Sequence, residues 1–257
     1  MRFDVITLFP ELFAPHLVHG VTRRAFESGQ VEVRLWQLRD FGDPPHARVD
    51  DRPYGGGPGM VLLVEPLLRA LAAVRADRSD AEPVPVVNFS PAGEPLRQAV
   101  VGDFAAGPGA ILLCARYEGV DQRFVDAHVD RELSIGDYVL SGGEIPALAL
   151  LDAVARLQPG VLGDERSHVE DSFSAGLLDC PHYSRPEVLA GGGGGEGTAV
   201  PPVLLSGNHP AIARWRRDQA LALTAARRPD LVAAAEAGGL LDGADRAALA
   251  RARSAKL

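Results

Sequence analysis

Residues Ser134 to Ala147 read SIGDYVLSGGEIPA: a glycine turn, a short apolar stretch and a Gly142-Gly143 pair, directly ahead of a helix whose first turn carries Glu144 and Pro146. Both residues suit that turn, the acid because of the positive end of the helix dipole and the proline because no N–H is needed there. A turn joined to a helix N-terminus between glycines makes a pocket floor of free backbone N–H and C=O groups. Such a floor can recognise a purine ring and a ribose without a charged side chain. The helix behind it, Glu144 to Leu157, carries its leucines at helical spacing, and so does Leu62 to Val74.

Working outward, four short apolar runs precede this stretch: Val5 to Phe9, Val31 to Trp36, Val84 to Phe89 and Ala110 to Cys114. Each is followed by a helical-period segment or a loop, which predicts an α/β fold with a parallel sheet covered on both faces. A further strand is expected over Arg131 to Ile135, just before the Gly136-Asp137 turn. Two long stretches lack periodicity. Phe41 to Pro58 (FGDPPHARVDDRPYGGGP) reads as a long loop of the kind that carries function, and Gln158 to Ser174 as an interdomain linker or lid. A five-glycine run, Gly191 to Gly195, follows, and then three helical segments: Ile212 to Ala226, Leu231 to Ala237 and Arg246 to Ala255.

The chain has 257 residues, 46% of them hydrophobic and 23% charged, the composition of a globular protein with length for one large or two modest domains. Its 26 basic residues include a single lysine, Lys256, against 34 acids, for a net charge of -8. Chemistry that needs a lysine inside the fold, such as a P-loop, a Schiff base or a lysine general base, is thereby disfavoured. The acidity is uneven: from Ala175 onward there are 10 basic and 8 acidic residues, before it 16 and 26. Local arginines such as Arg214, Arg216 and Arg217 can therefore meet phosphates whatever the total charge. Cys114 and Cys180 lie far apart, with no C-x-x-C and no H-x-x-x-H, so neither a disulfide framework nor a structural zinc site is expected, and the cytoplasm is the expected compartment. The start, MRFDVITLFP, reads as neither a signal peptide nor a membrane span, since no apolar stretch approaches about 18 residues.

The glycine run contains a formal G-x-G-x-x-G at Gly192, Gly194 and Gly197, but no strand precedes it, so the dinucleotide reading fails its structural test and a flexible insertion is the better account. In DDRPYGGGPGM, Asp50 to Met60, glycines permit close backbone approach and Arg52 offers a planar donor fork; a solvated turn is the plain alternative. ARYEGVDQR, Ala115 to Arg123, follows a strand end, where ligands gather in open α/β sheets, while Asp121 there also suits a helix N-cap.

Taken together, DDRPYGGGPGM, RYEGVDQR, SIGDYVLSGGE, EDSF (170–173), GLLDCPHYSRPEVL (176–189) and VPPVLLSGNH (200–209) resemble the bacterial tRNA (guanine-N1)-methyltransferases, the TrmD family of the SPOUT class, from the first strand to about Arg228. The resemblance implies a deep trefoil knot, S-adenosylmethionine bound in it, a homodimer with composite active sites, and methylation of the guanine immediately 3′ of the anticodon, position 37, in a subset of tRNAs. It divides the chain into a cofactor-binding SPOUT domain (1–160), a linker or lid (161–174) and a helical tRNA-binding domain (175–257), with no membrane association.

Carried over by motif, the cofactor loops fall on Phe89, Ser90 and Pro91, on Ala115, and on Ile135, Gly136, Asp137, Tyr138, Val139 and Leu140, with Gly142, Gly143 and Pro146 completing the pocket. Ala115 stands where the family commonly has glycine, and Asn88 where an aromatic residue is frequent. Guanine N1 carries a proton, so a base is required, together with stabilisation of charge on O6. By chemistry alone Glu170 and Asp171 are equal candidates; the resemblance selects Asp171 as the base and Arg156 as the residue facing O6. Arg52, Tyr117, Glu118, Arg123, Asp179, Ser206, Asn208, His209, Arg214 and Arg217 are the expected guanine or tRNA contacts, joined at phosphates by Arg216, Arg227 and Arg228. The resemblance allows a magnesium ion, but no carboxylate cluster in the sequence marks a site. Rival readings are a SPOUT enzyme for another RNA or atom and a catalytically silent RNA-binding module.

Overall fold

The computed structural model describes residues 1–78, 83–164, 171–190 and 197–254. The chain divides into two compact units, Met1–Glu165 and Arg166–Leu257. Glu170, the run Gly191 to Gly195 and Lys256 lie outside the described residues.

In the first unit, β1 (Arg2–Thr7), β2 (Glu32–Gln37), β5 (Val86–Pro95), β6 (Gly109–Leu113) and β7 (Arg131–Ser134) form one sheet in the order β2-β1-β6-β5-β7. Every pairing in it is parallel. The short β3 (Asp50–Asp51) and β4 (Val61–Leu62) make a separate antiparallel ribbon. The expected apolar runs are these strands because side chains alternate between two cores. Along β6, Ala110 and Leu112 join Phe3, Val5 and Val87 on one face, while Ile111 and Leu113 join Ile6 and Val86 on the other.

Helices α2 (Arg23–Glu27), α4 (Gln98–Ala106) and α6 (Glu144–Ala155) supply the first core, whereas α3 (Val64–Asp77) and α5 (Gln122–His128) supply the second; a short α1 (Ala14–Val18) precedes them. Helix α6 buries Ala147, Leu150, Leu151, Val154 and Ala155, each leucine being worth roughly 1.5–3 kcal/mol of transfer free energy. Fully buried Asp4 is held by Arg2 at 2.6 Å, Arg78 at 2.6 Å and the Trp36 indole N–H at 2.8 Å.

Two elements depart from the sequence reading. Helix α3 begins at Val64 rather than Leu62, because Leu62 is spent pairing with Asp50 in the ribbon; the same ribbon puts a short strand inside the stretch expected to be loop. Strand β5 runs on to Pro95 instead of ending at Phe89. Both Phe89 and Glu94 pair with Leu133, so residues 90–93 are left over as a bulge that leaves the sheet.

The second unit contains α7 (Pro202–Leu205), α8 (His209–Arg227), α9 (Pro229–Ala237) and α10 (Gly243–Ser254), with a small ribbon of β8 (Val188–Leu189) and β9 (Thr198–Ala199). Its core gathers Leu177, Leu221, Val232, Ala235, Leu241 and Leu249. Buried Thr224 accepts from the Leu178 N–H at 3.0 Å and donates to Ala220 O at 2.6 Å, tying the incoming chain to α8. No helix among the described residues is long and apolar enough to cross a membrane. Cys114 and Cys180 are free and buried.

Candidate active site

With all five strands parallel, their carboxyl ends share one edge of the sheet, and a cavity of about 330 Å³ opens there. Three chain segments converge on it. The β5 bulge brings Phe89, Ser90 and Pro91, with the Ser90 Oγ accepting the Ala92 N–H at 3.1 Å. The chain leaving β6 brings Ala115, Tyr117 and Glu118, and the chain leaving β7 brings Ile135, Gly136, Tyr138, Val139 and Leu140, with Gly142, Gly143 and Pro146 behind them. Thus every residue expected to contact a cofactor lines this one cavity except Asp137, which is exposed at the turn and outside the lining.

The third segment folds back onto the second. Arg116 and Gly142 form an isolated antiparallel bridge, and the Gly143 N–H donates to Ala115 O at 2.9 Å. A Cβ on Gly143 would stand 2.8 Å from the Cys114 Cα, so only glycine lets the two backbones approach. Gly136 has φ +149°, and its turn is stitched by Ser134, whose Oγ accepts the Gly136 N–H at 3.2 Å.

A pairing that the sequence does not show braces this junction. Glu144, 1% exposed, receives the Arg116 Nε–H at 3.1 Å and the Thr7 hydroxyl at 2.8 Å, and its second oxygen lies 2.9 Å from Arg116 Nη2. Arg116 also donates to Ser141 O at 3.3 Å and sits 4.4 Å over the Phe9 ring. The ends of β1 and β6 and the start of α6 are therefore held by one buried ion pair. Its partners are 28 residues apart; the only local signal was Glu144 in the first turn of α6. Asn88 and Glu132 also line the cavity, joined by a 2.8 Å hydrogen bond from the Asn88 amide. Glu118 and Glu132 add carboxylates to the wall, while Glu144 neutralises the Arg116 guanidinium. Burial and the neighbouring Asp50 carboxylate raise the Tyr117 hydroxyl above its ordinary pKa.

Other expected substrate contacts of the first unit lie outside this lining. Arg52 is exposed beside the ribbon. Arg123 turns back on Asp121 at 2.7 Å, and its hydrogen bonds hold that carboxyl below the usual range. Asp121 also caps α5, accepting the Arg123 N–H at 2.9 Å, so its N-cap reading holds. Arg156 is the half-buried C-cap of α6.

In the second unit, half-buried Asp171 opens a turn, its carbonyl accepting the Ser174 N–H at 3.2 Å. Burial would raise the Asp179 carboxyl, but His182 at 2.8 Å and the Cys180 N–H at 2.6 Å hold it below its ordinary value. Burial and the Asp179 charge push the Cys180 thiol up. The potential ligand atoms of Asp179, Cys180 and His182 lie within 4.8 Å of one another. Asp179 accepts from the Cys180 N–H and pairs with the His182 ring, so hydrogen bonds link the trio within one turn. Ser206 and Asn208 close the entry to α8: Ser206 Oγ donates to Val203 O at 2.7 Å, and Asn208 accepts the Ala211 N–H at 3.2 Å as N-cap. His209 is exposed at the first helical position. Arg214 and Arg217, expected at phosphates, are also paired with acids. Arg214 pairs with Asp218 and, at 2.9 Å, with Asp245, and Arg217 pairs with Asp245 at 2.9 Å, locking α8 to α10.

A parallel sheet with a cavity beyond its central strands defines an α/β protein with its candidate site where open α/β sheets gather ligands. The family profile described as tRNA (Guanine-1)-methyltransferase TrmD matches residues 1–234. Proteins named tRNA (guanine-N(1)-)-methyltransferase are similar over nearly their whole length. That of Leptothrix cholodnii is 67% identical over 97% of this chain and 98% of its own. That of Methylibium petroleiphilum is 66% identical over 95% of each, and that of Paracidovorax citrulli 64% identical over 98% of each. The chain belongs to the TrmD family of tRNA (guanine-1)-methyltransferases.

Proposed function

We infer that this chain transfers a methyl group from S-adenosylmethionine to N1 of the guanine immediately 3′ of the anticodon, position 37, in tRNA. The observation that carries the reading is family membership over residues 1–234, supported by the motif residues that line one cavity. The cavity fits the donor chemically: backbone groups face a purine and ribose, glycines allow close approach, and Glu118 and Glu132 favour a cation. Bound there, S-adenosylmethionine supplies an already activated methyl group. Phe89 to Pro91, Ala115, Ile135 to Leu140, Gly142, Gly143 and Pro146 would hold it.

The protein's own work is then to ready the guanine. Asp171 takes the proton from N1, freeing the electron pair that forms the new bond. Arg156 faces the negative charge that develops on O6, an electrostatic contribution on the order of a few kcal/mol. We place both roles in a homodimer in which the second unit of one copy serves the first unit of the other, with a trefoil knot around the donor site, in the cytoplasm. The return of the chain from β7 to the turn after β6 supports the knot. Magnesium has no assigned part in this scheme.

The test is tritiated methyl transfer to an unmodified tRNA transcript, with mass spectrometry of the product nucleoside. 1-Methylguanosine, absent when position 37 is changed from guanine, is expected. A different methylated nucleoside favours a SPOUT enzyme of other specificity, and no transfer favours a silent RNA-binding module. Asp171→Asn should abolish transfer while S-adenosylmethionine affinity survives; near-normal single-turnover transfer would remove Asp171 from the base role.

A further inference from the structure

In the second unit, residues 181–190 are exposed without interruption, yet Tyr183 within them is in ring contact with Trp215 of α8 at 6.1 Å and an interplanar angle of 57°. Tyr183 remains 49% exposed, and neither ring belongs to the core of Leu177, Leu221 and Val232. An aromatic pair outside the core, on a segment with no regular structure before β8, needs a reason.

The arginines of α8 divide by helix face. Arg214 and Arg217 turn toward Asp218 and Asp245 and are neutralised there. Arg216 is exposed and forms no ion pair with any described acid. It follows Trp215 directly on α8. Exposed Tyr183 and half-buried Trp215 thus share the surface of the second unit with an exposed guanidinium that pairs with no described acid, while the neighbouring arginines serve the fold.

We propose that Tyr183 and Trp215, with Arg216 beside them, form a stacking platform for an unpaired nucleobase of the tRNA anticodon loop, Arg216 meeting the adjoining phosphate. The proposal rests on the tRNA reading above and adds to it the residues that grip the loop. Rings accept any base by its π-face, and a guanidinium neutralises the backbone, which is the chemistry of single-stranded RNA binding.

The chain has two tryptophans, and Trp36 sits in the first unit against Asp4. In a Trp36→Phe protein, therefore, Trp215 is the sole tryptophan. Titration with an anticodon stem-loop RNA, with binding followed separately by anisotropy of labelled RNA, should quench Trp215 emission with the same midpoint as the anisotropy. Trp215→Leu and Tyr183→Ala should each weaken RNA binding about 5- to 150-fold, the weight of one stacked base. Trp215→Phe should retain most of the affinity, and S-adenosylhomocysteine binding should be unchanged in all three. Arg216→Gln should lower the salt-dependence slope of RNA binding by about one phosphate contact.

Unchanged Trp215 emission at saturating RNA overturns the proposal. So does equal RNA affinity of the native protein, Tyr183→Ala and Trp215→Leu, which would leave the rings as a brace. Emission that follows protein concentration and not RNA also overturns it and assigns the rings to contact between copies. Methyl transfer is measured on the same Trp36→Phe protein, so loss of N1 methylation with RNA quenching intact counts against the reaction and not the platform.

Discussion

Replacing Glu144 by alanine removes the carboxylate that holds Arg116, the Thr7 hydroxyl and, through Arg116, the loop at Ser141. Glu144 is 1% exposed and the Arg116 side chain 17%, so the guanidinium left behind reaches little water. Breaking one side of a buried ion pair costs about 3–5 kcal/mol. Partial access of Arg116 to solvent puts the expectation near the lower end, about 3 kcal/mol. At about 2–4 °C per kcal/mol for a unit of this size, the first unit should melt about 6–12 °C lower, read by circular dichroism or calorimetry. Affinity for S-adenosylmethionine should fall as well, because Ser141 to Gly143 form part of the cavity wall. The double variant Arg116→Met with Glu144→Met separates the two effects. Exchanging both charges for apolar groups should restore most of the stability, yet donor affinity should stay reduced, since nothing then pins the loop. A Glu144→Ala protein that melts within about 2 °C of the native one and binds the donor normally would refute the idea that this pair builds the junction.

Gly142→Val would drive a side chain into Arg116 and Glu144; calorimetry should show S-adenosylmethionine binding lost, and unchanged binding would exclude this cavity as the donor site. Mixing Arg156→Ala and Asp171→Asn subunits should recover part of the methyl transfer that neither variant supports alone, while inactive, verified heterodimers would refute a site shared between copies. Asp245, 3% exposed, is disfavoured as a carboxylate by burial, but the hydrogen bonds from Arg217 and Arg214 outweigh this and hold its pKa below the ordinary value. Its stabilising contribution is therefore present above the unfolded-state value of about 3.9 and lost as pH falls through the folded one. The stability gap between the native protein and Asp245→Asn should be constant from neutral pH down to about pH 5 and close at lower pH; a gap that persists in acid would show that the pair does not act through this charge.

Much of the first unit is legible in its residues because burial on both faces of a parallel sheet leaves a mark: short unbroken apolar runs, with helical-period segments between them. The runs at Val5, Val84 and Ala110 are strands in the structure for that reason, while the run at Val31 is the edge strand β2, which alternates and leaves Glu32 and Arg34 exposed. The β5 bulge left no such mark. Ser90 and Pro91 reach the cavity because Phe89 and Glu94 both pair with Leu133, a register written in the partner strand. The arginines of α8 are the opposite lesson. The resemblance marks Arg214 and Arg217 as tRNA contacts, whereas their pairing with Asp245 of α10 is a tertiary contact that no local signal shows. Glu144 was legible only as a helix-opening acid, and only a fold that brings it against Arg116 makes the two partners.

What the residues determine by themselves is local: the alternation that makes strands, the glycine pair and acid that open α6, the lack of lysine that removes whole classes of chemistry, and the motifs that mark the family. Tertiary structure decides what lies beside what. The order β2-β1-β6-β5-β7 sets β5 between β6 and β7, so three segments distant in sequence end at one edge and enclose a cavity. Ion pairing across elements is decided there too, because Asp245 of α10 reaches Arg214 and Arg217 of α8 only once the helices pack.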